Sequence, residues 1–252
     1  MSRTTVPRAA GLAAASLLGG LIVLGGVAVT GDLGGGTTTV VRTSPVPTPA
    51  APVASSDRLA VSEIYARAKD SPQSTRTAPA PATPYGIFKT TAFELTRSYR
   101  ERHRLAACSL VLYPFESPLR ADNFALPKIC RGAARIAQRG GRLALGDLSA
   151  ERDWTWAEDV ARAFVAAALA PEPSDALIGS GKLHKVSEVV ELAFREVGLD
   201  WREHVDIDPS FVRAAEPVLM TPDVEETERA IGWRAQTPFE EIVRRMVHSA
   251  RV

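Results

Sequence analysis

Apolar and polar positions divide the chain into two unlike parts. From Ala9 to Gly31 no residue is charged, and Leu17 to Leu24 form an apolar centre behind Arg3 and Arg8. At about 1.5 Å of rise per residue this stretch spans roughly 30 Å, which predicts a single transmembrane helix over 9–31 after a basic segment 1–8. A cleaved secretory signal, with its shorter apolar core, is the competing reading. A helix buried in a water-soluble core fits poorly, because Gly11, Gly19, Gly20, Gly25 and Gly26 would weaken it. The two arginines ahead of the span would direct the rest of the chain out of the cytoplasm. Residues 32–83 are rich in Gly, Pro and Thr, too poor in apolar surface to offset ordering entropy, and read as a linker. Within it a short helix is predicted near 58–70, carrying Leu59, Val61, Ile64 and Tyr65.

Residues 84–252 change character. Thr83 followed by Pro84 predicts a helix start, with Phe88, Ala92, Phe93, Leu95 and Tyr99 along the helix. Leu105–Tyr113 is a short apolar run closed by Pro114, the pattern of a buried parallel strand. A helix follows from Phe124 to Gln138, another over Trp156–Leu169, and a strand end at Leu177-Ile178. Val186, Val189, Val190, Ala193, Phe194 and Val197 trace one helical face stopped by Gly198. Thr221-Pro222 opens a helix ending near Gly232, and Thr237-Pro238-Phe239-Glu240 reads as a capping box before a last amphipathic helix. Alternation of helix and strand predicts an α/β domain.

Charge changes this picture little. Thirty basic and 29 acidic residues leave a net charge of +1, so nothing marks the chain as a nucleic-acid binder. Residues 1–83 carry +3 and the remainder −2. Cys108 and Cys130 support neither a disulfide framework nor a zinc site, and the four histidines have no metal spacing.

Tyr85 and Lys89 stand one helical turn apart on one face. An ammonium beside a phenol favours the phenolate, lowering its pKa from about 10 toward that of a useful general base. Gly179-Ser180-Gly181-Lys182 has the look of a phosphate loop, but Leu183 stands where Ser or Thr should follow. Glu151-Arg152-Asp153-Trp154 sets a charged pair beside an indole, where a guanidinium would suit a diphosphate.

Several of these residues together resemble a known family. Thr83-Pro84-Tyr85-Gly86-Ile87-Phe88-Lys89, Phe115-Glu116-Ser117-Pro118-Leu119-Arg120, Asp122-Asn123-Phe124, Arg152-Asp153-Trp154, Val197-Gly198-Leu199-Asp200-Trp201, Arg213-Ala214-Ala215-Glu216 and Ile231-Gly232-Trp233 are similar to GDP-mannose 4,6-dehydratase, an extended short-chain dehydrogenase/reductase. The resemblance covers about residues 77–252. It implies an incomplete Rossmann-like domain over 84–252, lacking its first βαβ units, with a smaller carboxy-terminal substrate-binding subdomain. It also implies an NADP-dependent hydro-lyase that converts GDP-mannose to GDP-4-keto-6-deoxymannose, and a homo-oligomer. Tyr85 would take the O4 proton with Lys89 beside it, and Tyr85, Lys89 and Arg120 would contact NADP. Asn123, Lys128, Arg152, Arg213 and Glu216 would hold the GDP-sugar.

Departures accompany it. No glycine-rich dinucleotide turn precedes Tyr85, and the family's threonine and its glutamate base are assigned to the same missing half. Pro114 and Phe115 stand at the family's Asn-His positions, and Lys185 replaces a capping serine. Loss of the first strands would leave an exposed sheet edge. Residues 1–71, with Ser62-Glu63-Ile64-Tyr65-Ala66-Arg67-Ala68 after the anchor, resemble the start of an actinobacterial membrane-anchored trypsin-like protease. The expected function is therefore dehydratase-like but impaired. The alternatives are a noncatalytic, membrane-tethered nucleotide-sugar-binding module and a nonfunctional gene-fusion relic. GDP-mannose and NADP are cytoplasmic, so the side of the membrane stays open.

Overall fold

The computed structural model describes residues 13–15, 21–26, 61–211 and 219–250. Its central strand is β3, Ala106–Leu112, in which every residue after Ala106 is buried. β3 pairs in parallel with β8, Ala176–Ile178, matching Leu110 to Ala176 and Leu112 to Ile178. Two helices pack on β3: α1, Pro84–His103, and α3, Ala157–Leu169. A third, α5, Val224–Ile231, packs on β8. The core between them contains Phe93, Leu110, Leu112, Tyr113, Val160, Leu177, Ile178 and Trp233. This is the α/β layering that the alternating pattern predicts.

The other edge of β3 is occupied by the amino-terminal segment. β2, Leu21–Gly26, runs antiparallel to β3 from Leu21 opposite Val111 to Gly26 opposite Ala106. β1, Ala13–Ala15, pairs antiparallel with β2 on its far side. The transmembrane helix expected over 9–31 is thus corrected, since its described portions are strands. No helix among the described residues is long and apolar enough to cross a membrane. The physical reason lies in composition and demand. Ile22 and Val23 are β-branched, the flanking glycine pairs oppose a helix, and β3 offers a row of amides and carbonyls that would otherwise lack partners. The exposed edge expected beside β3 is covered for the same reason.

Residues 61–83 are likewise not a bare linker. Val61–Tyr65 is a 3₁₀ turn, and Ile64, Tyr65 and Ala68 join the core beneath α1. Gln73, fully buried, accepts a 2.7 Å hydrogen bond from the Tyr113 hydroxyl, and its backbone amide donates to Thr221 O. The rest of the expected 58–70 helix either forms turns (66–70) or lies outside the described residues (58–60).

The second core gathers α2, Ala125–Arg139, α4, Val186–Glu196, and α6, Phe239–Ser249, around Leu126, Ile129, Cys130, Val190, Phe194, Ile242 and Met246. A parallel pair, β5 (Leu143–Leu145) with β10 (Val205–Ile207), borders it. Two pairs of two-residue strands link the cores. β4, Phe115–Glu116, pairs with β7, Thr155–Trp156; β6, Glu151–Arg152, pairs with β9, His184–Lys185. Two helix starts differ from expectation. Asp223 caps α5 by accepting from the Glu226 amide, so the helix begins after Thr221-Pro222. Thr237 does not cap α6, because its amide donates to the buried carboxylate of Asp159 at 2.9 Å.

Asp153 explains why its motif is so constrained. Fully buried, it accepts from the amides of Ser180 at 2.8 Å and Gly181 at 2.7 Å and from Thr221 Oγ1 at 3.2 Å. It therefore ties β7 to the loop after β8, and the amides that a phosphate loop would offer are already engaged.

Two outcomes are expected. Asp153→Ala strands two amides in the interior and should cost about 3 kcal/mol in denaturant unfolding. In β2, with a neighbour on each side, successive amides point alternately to β1 and β3. One of Val23→Pro and Leu24→Pro should therefore strip hydrogen-exchange protection from residues 107–111, whereas equal protection in both would refute the pairing.

Candidate active site

The site is built at the first turn of α1 and the carboxyl end of β3, where ligands sit in open α/β sheets. Thr83 takes an extended conformation and accepts from the Gly86 amide at 3.0 Å, which starts α1 as expected. Its hydroxyl donates to Glu63 Oε2 in turn. Gly86 makes that approach possible, since a Cβ there would lie 2.9 Å from the Glu63 carbonyl oxygen and 3.0 Å from Pro81 Cβ. The 3₁₀ turn thereby lies against the opening of α1, and a carboxylate reaches the field of Tyr85.

Tyr85 and Lys89 meet as their spacing predicts, with the ammonium 5.3 Å from the ring centroid. The expected activation of the phenol is not what the surroundings produce. Burial and the negative charge of Glu63 push Tyr85 up to about 12, with Arg120 pulling the other way. Lys89, buried, has its own pKa lowered by desolvation.

Arg120 follows β4 in the turn leading to α2. Its guanidinium lies 3.7 Å from the centroid of Phe124 and 5.7 Å from that of Phe115. Phe115, standing at the family's histidine position, thus offers a ring face instead of a hydrogen bond. Arg120 Nε is 3.8 Å from Glu116 Oε2. Both atoms are buried, and neither has a hydrogen-bond partner among the described residues.

The sugar-side candidates are more dispersed. Asn123 is exposed just before α2. Lys128, on α2, donates to Ala144 O at 2.7 Å and lies 4.5 Å from the Phe211 ring. Arg152 donates to Glu151 O at 2.7 Å beside the β6–β9 pair. Arg213 and Glu216 lie outside the described residues. A depression of about 310 Å³ between α4 and α6, lined by Leu192, Arg195, Glu240 and Val243, contains none of these residues.

Glu63 is the residue that sequence reasoning misplaced. It falls in the short helix expected near 58–70, whose Ile64 and Tyr65 are buried, but its sequence surroundings give it no part in the site. A carboxylate is therefore present near Tyr85.

Burial pushes Glu116 up to about 7 from an ordinary 4.5, with Arg120 and Arg131 opposing. The folded state then binds this proton more tightly than the unfolded chain, so the carboxyl's contribution falls as pH rises from 4.5 through 7. Glu116→Gln lacks this proton, so its stability relative to the parent should grow by up to about 3 kcal/mol between pH 4.5 and 8. A difference that does not vary with pH in denaturant titrations would contradict the assignment.

Comparison with known proteins places these residues in a family. A family profile described as GDP-mannose 4,6 dehydratase matches residues 55–246. GDP-mannose 4,6 dehydratase 1 of Arabidopsis thaliana is 35% identical over 177 residues, covering 70% of this chain and 49% of its own length. The Homo sapiens GDP-mannose 4,6 dehydratase is 32% identical over 212 residues, covering 76% of this chain and 56% of its own length. Among solved structures, a putative epimerase from Burkholderia cenocepacia superposes with TM-score 0.66 at 27% identity, over 75% of this chain and 60% of that one. RMD from Pseudomonas aeruginosa, solved with NADPH, superposes with TM-score 0.64 at 21% identity, over 70% and 59%. The match begins at 55 and takes in Ser62-Glu63-Ile64-Tyr65, which removes the basis for a protease-like reading of that segment. The chain spans about half the length of the curated relatives it matches. With its Rossmann-like α/β layering and its Tyr85–Lys89 helix, the chain belongs to the GDP-mannose 4,6-dehydratase family.

Proposed function

We propose that the chain acts in the dehydration of GDP-mannose to GDP-4-keto-6-deoxymannose, handling protons with Tyr85 and Glu63 beside Lys89. The observation that carries this reading is the meeting of phenol, ammonium and carboxylate at the start of α1. Elimination of water across C5–C6 needs a base at C5, and Glu63 is the carboxylate within reach of the Tyr85 field. Thr83 holds it there by a hydrogen bond that also starts the helix. Tyr85 exchanges a proton with O4.

Tyr85, Lys89 and Arg120 suit the nicotinamide end of an NADP coenzyme: the buried Arg120 Nε is a donor awaiting an acceptor. Among the described residues no glycine-rich turn joins a strand to a helix ahead of Tyr85, so a cradle for the diphosphate is lacking there. When bound, such a coenzyme supplies the hydride acceptor for C4 and the donor for C6. Asn123, Lys128 and Arg152, with Arg213 and Glu216, are proposed to hold the GDP-sugar, the arginines pairing with its diphosphate.

A second reading, a nucleotide-sugar-binding module without turnover, is favoured by a phenol held near 12. One experiment separates the two. The full chain is incubated with GDP-mannose and NADP, while GDP-mannose affinity is measured by calorimetry and product by chromatography. The dehydratase reading expects turnover that falls at least 100-fold in Tyr85→Phe and in Glu63→Gln, with affinity within about threefold of the parent. Saturable binding without product supports the module, and no saturable binding overturns both.

A further inference from the structure

Glu116 and Arg120 form a pair that is close but unfinished. Glu116 is 2% exposed, on β4, and the 3.8 Å separation from Arg120 Nε is too long for a hydrogen bond. The guanidinium is steadied instead by the faces of Phe124 and Phe115. A buried cation without a full hydrogen-bond set is costly unless another acceptor arrives. Arg120 also lies in the field of Tyr85. We propose that Glu116 is a positioning residue for Arg120. Its carboxylate stows the guanidinium against Phe124, and protonation of that carboxyl frees the guanidinium for an anionic ligand beside Tyr85.

The charges around Glu116 are few. Arg120 comes from its own turn, and Arg131 and Cys130 come from α2. Arg131 is committed to Asp122 and to Pro118 O, and Cys130 Sγ approaches Val243 O. β7 beside it contributes Thr155 and Trp156, neither charged. α3 packs nearby with Glu158, Asp159 and Arg162, of which Asp159 is engaged by Arg162 and the Thr237 amide. Arg120 is thus the group whose charge Glu116 most directly balances. With Glu116 ionised the pair is neutral and holds an anion poorly; with Glu116 protonated a net positive charge faces the site. Anion binding and proton uptake are therefore linked. The titration falls near neutrality, because burial raises this carboxyl to about 7.

The inference rests on the dehydratase reading only in taking Arg120 as the anion-facing group, and its test uses neither GDP-mannose nor NADP. Arginine modification by phenylglyoxal is followed at Arg120 by peptide mass spectrometry from pH 5.5 to 8.5, normalised to the exposed Arg139 of the same molecule. In the parent chain the normalised rate should rise about tenfold as pH falls through 7. In Glu116→Gln it should be high and independent of pH. Inorganic sulfate, whose charge is constant over this range, should protect Arg120 at pH 6 and not at pH 8 in the parent, and at both in the variant. A purely structural role for Glu116 would shift the rate equally at every pH. A parent rate that does not change with pH, or sulfate protection equal at pH 6 and 8, would overturn the proposal. Should the variant fail to fold, the parent's normalised profile and its sulfate protection decide alone.

Discussion

A strand with partners on both edges and helices packed against it leaves no backbone group room for error, and β3 is that strand here. Leu110 and Val111 are fully buried, so each of their amides and carbonyls needs a partner in β2 or β8. The residues immediately after β3 inherit its position. The Tyr113 amide donates to Ile178 O, and its hydroxyl reaches Gln73, drawing residues 71–80 onto the domain. Two residues later Phe115 and Glu116 begin the turn that delivers Arg120. α1, packed on the same strand, brings Tyr85 and Lys89 from the other side. The site is thus the common destination of chain segments that β3 orients.

Three buried carboxylates show how this frame separates structure from chemistry. Asp153 is answered by two amides and a hydroxyl, and Asp159 by the Thr237 amide and Arg162. Hydrogen bonds of this kind, with an ionised acceptor, are worth about 1.5–3 kcal/mol each and offset burial. Both carboxylates tie loops to the core. Glu116 is buried as deeply, yet its Oε2 has no partner among the described residues. Glu116 thus differs from Asp153 and Asp159 in lacking a full set of hydrogen bonds among the described residues.

How much of this was legible in the sequence depends on the kind of signal. The Thr83-Pro84 start, the buried run of β3 and the stripe of α4 rest on local periodicity, and the structure places them within a residue or two of their expected bounds. The apolar stretch around Leu21–Gly26 was legible only as apolar. Whether such a run becomes a helix in a bilayer or a strand beside β3 depends on a partner about 80 residues away, which periodicity does not report. Glu63 was hidden differently, in a short segment between two Pro-rich stretches whose packing onto α1 no local pattern reports, though Ile64 and Tyr65 beside it are fully buried. Likewise the capping box at Thr237 lost to a tertiary competitor, since the Asp159 carboxylate claims the amide. In each case a long-range partner overrode a local rule.

The Tyr85–Lys89 pair shows the same override in its chemistry. Spacing alone promises a phenol of lowered pKa, but burial and Glu63 hold it near 12. At pH 7 a phenol with a pKa near 12 is ionised in only about one molecule in 10⁵. A nearby opposite charge lowers a pKa by about 1–3 units. The value near 12 already includes the pull of Arg120, and burial lowers the pKa of Lys89 as well. Two changes at the site would act in the same direction: loss of the Glu63 charge when that carboxylate takes up a proton, and a closer approach of Arg120. Within this electrostatic frame a ligand that neutralises Glu63 or draws Arg120 closer would lower Tyr85 toward a useful base. In the proposed dehydration Glu63 thus bears on both proton transfers, at O4 through its charge on Tyr85 and at C5 as the base.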